Sequence, residues 1–150
     1  MKLLLAVSAL TLGVASTAVA QAGSGHASPA PAVHVKMMMQ GSHYMFDPAN
    51  FTIHQGDVVE FDNVSGFPHN VSFDPSKIPA GAASVLNAAM ANRTGNLQGP
   101  MFTQAGQKYL ISFAGAPTGT YDYFCLPHRP MGMKGTITVV AARGHAAARH

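Results

Sequence analysis

The sequence predicts an all-β domain, a Greek-key β-sandwich with one short helix. Apolar and polar residues alternate along several short segments, which is the pattern of half-buried β-strands. Glycine and proline, 15 and 10 of the 150 residues, separate these segments at regular intervals, as turns do in a sandwich. Only one segment has helical periodicity. The pattern leaves an up-and-down barrel open as the alternative architecture.

Seven segments are predicted to be strands. In the first, Val35, Met37 and Met39 fall on one face. The second ends at Gln55-Gly56-Asp57, a turn signal after which the third alternates in polarity. The seven segments are residues 33–39, 51–54, 58–63, 70–73, 109–113, 119–124 and 135–140.

The helix is predicted over residues 82–91, which are rich in alanine. Leu86 and Met90 are four positions apart and therefore share one helix face. Residues 95–100 begin with glycine and end with proline, which closes the helical segment off.

The first 20 residues are predicted to be a secretory signal peptide. Lys2 provides a positive start, residues 3–14 form an apolar run, and Ala18-Val19-Ala20 is a small-x-small cleavage site. The apolar run is too short to span a bilayer, and no later stretch approaches that length. We therefore expect an exported protein, in the periplasm of a bacterium or secreted.

The rest of the chain is predicted to hold one domain, residues 32–141, between a flexible leader at 21–31 and a flexible tail at 142–150. The domain's charges balance, so it lacks the basic surface that nucleic-acid binding requires. We expect a monomer. The six basic residues are Lys36, Lys77, Arg93, Lys108, Arg129 and Lys134, and the six acidic ones are Asp47, Asp57, Glu60, Asp62, Asp74 and Asp122.

The single cysteine, Cys125, belongs to a metal-binding pattern. An exported protein with one cysteine has no internal disulfide, so the thiol either pairs with another chain or serves chemistry. Cys125, His128 and Met133 form a C-x2-H-x4-M spacing between two predicted strands, and His69 can approach from a neighbouring loop. Two imidazoles, a thiolate and a weak axial thioether form the copper site used for electron transfer. The sequence therefore predicts one type 1 copper ion on these four residues.

These residues also have other interpretations. Zinc also binds cysteine and histidine, but it has no use for Met133, and structural zinc sites usually take a second cysteine. Taken singly, His69 is more often a turn or surface histidine and Met133 more often a core residue. Their joint strand context favours the copper site.

Several segments resemble those of plastocyanin and related small cupredoxins, over about residues 33–140. They are Phe46-Asp-Pro-Ala-Asn-Phe-Thr-Ile, Gln55-Gly-Asp-Val-Val-Glu-Phe, Phe67-Pro-His-Asn-Val-Ser-Phe-Asp, and Gly119-Thr-Tyr-Asp-Tyr-Phe-Cys-Leu-Pro-His through Gly132-Met-Lys-Gly. The resemblance implies a cupredoxin-like Greek-key sandwich with copper at one end. It also implies that Met133, and not Met131, is the axial ligand, and that Asn70 links the two ligand loops by hydrogen bonds.

The predicted function is single-electron transfer between redox partners by Cu(I)/Cu(II) cycling, without enzymatic activity. Phe124 and Leu126 flank Cys125, whereas copper enzymes with a second copper centre often have histidines there. A copper-binding module for storage or delivery is the alternative.

Redox partners are expected to dock transiently at an exposed edge of His128. The surrounding residues are apolar, and transient redox encounters use small interfaces. They are Phe67, Pro68, Pro127, Pro130 and Met131.

The run Met37-Met38-Met39 has two interpretations. It is either a soft-metal acceptor for copper loading or part of a strand with two core-facing methionines, and the strand pattern favours the second.

Overall fold

The computed structural model describes residues 30–144. The predicted signal peptide lies outside this range, as do residues 21–29 of the predicted leader and 145–150 of the predicted tail. Residues 30–144 form two four-stranded sheets and one short α-helix, which confirms the predicted all-β sandwich. Within these residues, no helix is long and apolar enough to cross a membrane.

Each sheet combines one pair of consecutive strands with two strands that are distant in sequence. One sheet has the order β2-β1-β4-β6, and the other has the order β3-β8-β7-β5. β1 runs parallel to β4 and β3 runs parallel to β8, an arrangement that an up-and-down barrel does not have. The elements are β1 Val33–Gln40, β2 His43–Asp47, β3 Asn50–His54, β4 Val58–Asn63, β5 Ser72–Phe73, α1 Ala82–Ala89, β6 Lys108–Ser112, β7 Gly119–Phe124 and β8 Lys134–Val140.

The core lies between the sheets and is filled by alternate residues of each strand. Val35 and Met37 of β1 have no exposed area, as predicted, whereas Met39, predicted on the same face, is half-buried and lies outside the core cluster. Tyr121 and Tyr123 of β7 bury their rings and still satisfy their hydroxyl groups. Tyr121 donates to the carbonyl of residue 117 (2.6 Å), and Tyr123 donates to that of Ala49 (2.9 Å). The buried rings therefore also fix the positions of two loops.

Gly135 of β8 lies directly against the Ala49 carbonyl and the Tyr123 ring. A Cβ atom on Gly135 would lie 2.0 Å from the Ala49 carbonyl oxygen and 2.7 Å from the Tyr123 ring. Both neighbours are held by the hydrogen bond between them. Only glycine fits at this position.

The structure differs from the sequence prediction at the β3–β4 connection. The two segments are consecutive strands, as predicted, but the turn at 55–57 carries the chain from one sheet to the other. β4 is also buried on both faces, because Glu60 is covered on its outer side. Lys108 donates to Glu60, and His34 Nδ1 lies 3.1 Å from the same carboxylate.

Six predicted elements have different bounds, three of them (β1, β3 and β8) by one added residue, and one strand was not predicted. The predicted strand at 70–73 shortens to β5, because Asn70 turns its side chain to the neighbouring ligand loop. The helix ends at Ala89, since Met90 takes an extended conformation while its N–H still bonds Leu86. The predicted strand at 109–113 begins and ends one residue earlier, as β6. β2 was missed.

Candidate metal centre

The loop after β7 is folded tightly by its own backbone. The N–H of Cys125 donates to the Met133 carbonyl (3.1 Å), which closes the loop at its base. The His128 carbonyl accepts from the N–H groups of Met131 (3.0 Å) and Met133 (3.2 Å). A 3-10 turn at Arg129–Met131 follows His128 and ends at a glycine in the left-handed conformation. The backbone thus brings residues 125, 128 and 133 together.

His69 is positioned by a separate loop, between β4 and β5. Its backbone forms a two-bond bridge with Phe102, with N···O distances of 2.9 and 2.8 Å. The buried Asn63 side chain donates to the carbonyls of Phe67 (3.0 Å) and Phe102 (3.1 Å). These bonds fix the loop before any ion binds.

Three of the four predicted ligands converge in the structure. His69 Nδ1 and His128 Nδ1 are 3.2 Å apart, and Cys125 Sγ lies 3.4 Å from the His128 nitrogen and 3.7 Å from that of His69. Metal bonds to such donors are about 2.0–2.3 Å long, so one ion can reach all three. Within residues 30–144 this is the one group of at least three His, Cys, Asp or Glu donors so arranged. The donor set fits a copper ion.

Burial sets the protonation of these donors. It lowers the pKa of His69 to about 4, with a further contribution from neighbouring His128, whose own pKa burial also lowers. Both imidazoles are therefore neutral at neutral pH and offer a lone pair. Burial raises the pKa of the Cys125 thiol, so an ion that binds there must displace a proton.

Met133 and Met131 differ sharply in burial. Met133 has no exposed area and packs in the core cluster beside Cys125, whereas Met131 is 56% exposed. A thioether that points to solvent is poorly placed to reach a buried ion. This contrast supports the axial assignment of Met133.

Asn70 links the two ligand loops, as the resemblance implied. Its Oδ1 accepts from the Leu126 N–H (2.7 Å), next to Cys125. Its Nδ2 donates to Ser72 Oγ (3.1 Å) and to the Gly99 carbonyl (3.4 Å). This buried side chain is fully paired and holds the cysteine loop against the His69 loop.

Two residues at the site were missed by the sequence analysis. Ser65 Oγ lies 3.0 Å from His69 Nε2, the nitrogen that faces away from the other donors, so it orients this ring. The Tyr44 ring stacks on His128 with a centroid distance of 3.7 Å and an interplanar angle of 6°. Ser65 could have been suspected from its place four residues before His69. Tyr44 gave no signal, because it lies on the unpredicted strand β2.

Comparisons with known proteins agree on one family. The family of copper-binding proteins named for plastocyanin and azurin matches residues 33–140. Plastocyanin of Scenedesmus fuscus is 41% identical over 107 residues, which cover 71% of this chain and 98% of that protein. Plastocyanin of Nostoc punctiforme is 43% identical over 95 residues, 63% of each chain. A mutant fern plastocyanin of known structure superposes with a TM-score of 0.50 and 34% identity, over 71% of this chain and 99% of that one.

Proposed function

Because the chain belongs to the plastocyanin/azurin family of copper-binding proteins, we propose that it is an exported type 1 copper protein. Its function is single-electron transfer between redox partners, as the family relationship implies. The proposed ligands are His69, Cys125, His128 and Met133. The observation that carries the assignment is the buried cluster of one sulfur and two nitrogen donors, 3.2–3.7 Å apart.

The residues around the cluster suit a carrier whose site changes little when an electron moves. Copper supplies the chemistry, since the bound ion alternates between Cu(I) and Cu(II). The thiolate and thioether favour the first state, and the imidazoles also suit the second. Asn70 and Ser65 hold the donors through hydrogen bonds that the protein makes by itself. A preformed site needs little rearrangement in either state.

Burial favours the carrier over the alternative of copper storage or delivery. His69, Cys125 and Met133 have no exposed area, and His128 is 7% exposed. A delivery protein must present its ion to a partner's ligands, which these residues cannot do without opening the loops. Slow copper exchange together with fast electron self-exchange supports the carrier, whereas rapid transfer of copper to a chelator contradicts it.

We propose that electrons enter and leave near His128. Apolar side chains surround this end of the molecule, with Phe67 40%, Leu126 44% and Met131 56% exposed. The prolines at 68, 127 and 130 are exposed as well. A small apolar surface of this kind suits brief docking. The path through Phe124 is less open, because the Arg129 guanidinium covers that ring at 4.1 Å and pairs with Asp74.

Adding charge to this surface is expected to slow electron exchange. Met131→Lys and Pro68→Lys both place a solvated ammonium group where a partner must approach closely. We expect each variant to exchange electrons with a redox partner about tenfold more slowly or worse, since a desolvated lone charge costs more than the 1.4 kcal/mol that corresponds to this factor. Stopped-flow kinetics measure the rates.

The matched control is Leu110→Lys, because Leu110 is also exposed, at 43%, but lies on β6 outside this surface. Its rate and the copper spectra of all three variants should equal those of the wild type. Unchanged rates in Met131→Lys and Pro68→Lys would show that electrons follow another path, for example through Phe124.

The axial assignment predicts different effects for two methionines of one loop. Met133→Leu removes a donor to Cu(II), so we expect a higher reduction potential with the colour retained. Met131→Leu should change the potential little, because its side chain is exposed. Voltammetry of the two variants decides between them, and a reversed result would make Met131 the ligand.

The remaining assignments concern the whole chain. We propose that residues 1–20 direct export to a bacterial periplasm or to the medium, and that 32–141 form the copper domain. The hydrophobic run before Ala18-Val19-Ala20 supports the export signal. We further propose a monomeric carrier and not an enzyme.

A further inference from the structure

The β1–β2 hairpin carries methionine and histidine on its outer face. In the observed register, Met38 lies opposite Met45, and Gln40 lies opposite His43. Alternate residues share a face, so these four side chains project to the same side. The intervening pair, Met39 and Tyr44, projects to the other side, where Tyr44 stacks on His128. The outer face of the hairpin therefore lies on the opposite side of these strands from His128.

The outer methionines, Met38 and Met45, are not part of the hydrophobic core. Met38 and Met45 are half-buried, and neither belongs to the core cluster nor packs against it. The exposed His43 ring has no hydrogen-bond or ion-pair partner within residues 30–144. Two long apolar side chains and a histidine therefore stand together on a solvent-facing edge of the sheet, without a structural explanation.

Their spacing permits all three to reach one ion. Directly opposite residues of an antiparallel pair have Cβ atoms about 4.5–5.5 Å apart, and His43 follows on the same face about 7 Å along β2. Methionine has three rotatable side-chain bonds, so both sulfur atoms can turn towards the imidazole. The nearest charged pair on this face, Lys36 and Asp47, lies opposite each other and adds no net charge. Thioethers are soft ligands, which select Cu(I) among the biological copper states.

We propose that Met38, Met45 and His43 form a second, exposed Cu(I) site that acquires copper for the buried one. Binding there is ligand exchange, in which the donor of Cu(I) gives up its ligands to two thioethers and an imidazole without a change in oxidation state. His43 is exposed and Met38 and Met45 are half-buried, whereas the type 1 ligands are enclosed. This role goes beyond electron transfer and does not depend on it.

The test is an anaerobic titration of the reduced copper-loaded protein with further Cu(I), in competition with a Cu(I) chelator. The type 1 site is already filled, so any added ion reports on a second site. One equivalent should shift the ¹³C methyl resonances of Met38 and Met45, together with the ring signals of His43. The exposed Met101 and Met131 serve as internal references and should not shift.

Variants separate this site from other histidines of the chain. Met38→Leu with Met45→Leu should weaken the added binding more than about 100-fold, since even the loss of an outer-shell partner costs about 10- to 100-fold. Met101→Leu is the control, because Met101 is exposed and has no part in either copper site, and this variant should bind normally. Copper from a Cu(I) complex should enter the apoprotein of the Met38→Leu, Met45→Leu variant more slowly than that of the wild type. After loading and oxidation, the visible spectra of the two proteins should be the same. Unshifted methionine signals, or unchanged affinity in the first variant, would overturn the proposal.

Discussion

Replacing Cys125 with serine is expected to abolish the visible colour of the copper-loaded protein. The colour of a type 1 site arises from charge transfer between the thiolate and Cu(II), and the serine hydroxyl provides no such transition. Serine is close in size to cysteine, and Cys125 is fully buried with its N–H bonded to the Met133 carbonyl. The fold should therefore persist while the absorption disappears.

The matching control is the structure of the variant without copper. Amide signals of β7 and β8 should remain in place, and Asn70 should still accept from Leu126, because that bond uses only the Leu126 backbone N–H. Folded protein with the full absorption in Cys125→Ser would show that another residue supplies the sulfur ligand.

Replacing Gly135 with alanine is expected to destabilise the domain strongly. The added Cβ would lie 2.0 Å from the Ala49 carbonyl oxygen and 2.7 Å from the Tyr123 ring. The ring cannot move aside easily, because it is buried in the core and hydrogen-bonded to that same carbonyl. We expect the free energy of unfolding to fall by about 3 kcal/mol or more, at the upper end of overpacking effects. Urea denaturation monitored by circular dichroism measures the change.

Gly95→Ala is the control for this substitution. Its Cβ would meet only the Gln98 side chain, at 3.3 Å, and that side chain can turn away. The free energy of unfolding of this variant should fall by no more than about 1 kcal/mol. Equal losses in the two variants would mean that the Gly135 contact is not what makes alanine unfavourable.

The site was more predictable from sequence than the sheet pairing. Cys125, His128 and Met133 are close along the chain, so their spacing alone restricts them to one loop. Their backbone bonds in the structure are local for the same reason. His69 was harder to place, since its approach depends on the bridge to Phe102, more than 30 positions away. The family resemblance supplied that long-range relation.

Apart from Ser65, which lies only four residues before His69, the features that sequence reasoning missed depend on tertiary contacts. β2 is only five residues long, and its inward residues Tyr44 and Phe46 are recognised as such only once β1 is beside them. The stack of Tyr44 on His128 joins residues that are far apart in the sequence. The burial of Glu60 likewise requires Lys108 and His34 from the two adjacent strands. Local periodicity carries no information about such pairs.

The visible absorption spectrum of the copper-loaded wild-type protein is the most direct test of a type 1 copper site. We expect an intense thiolate-to-Cu(II) band when the protein is oxidised. The band should bleach with a reductant and return on reoxidation, because the same ion accepts and releases one electron. A colourless oxidised protein with copper bound would contradict the assignment of a type 1 site on His69, Cys125 and His128.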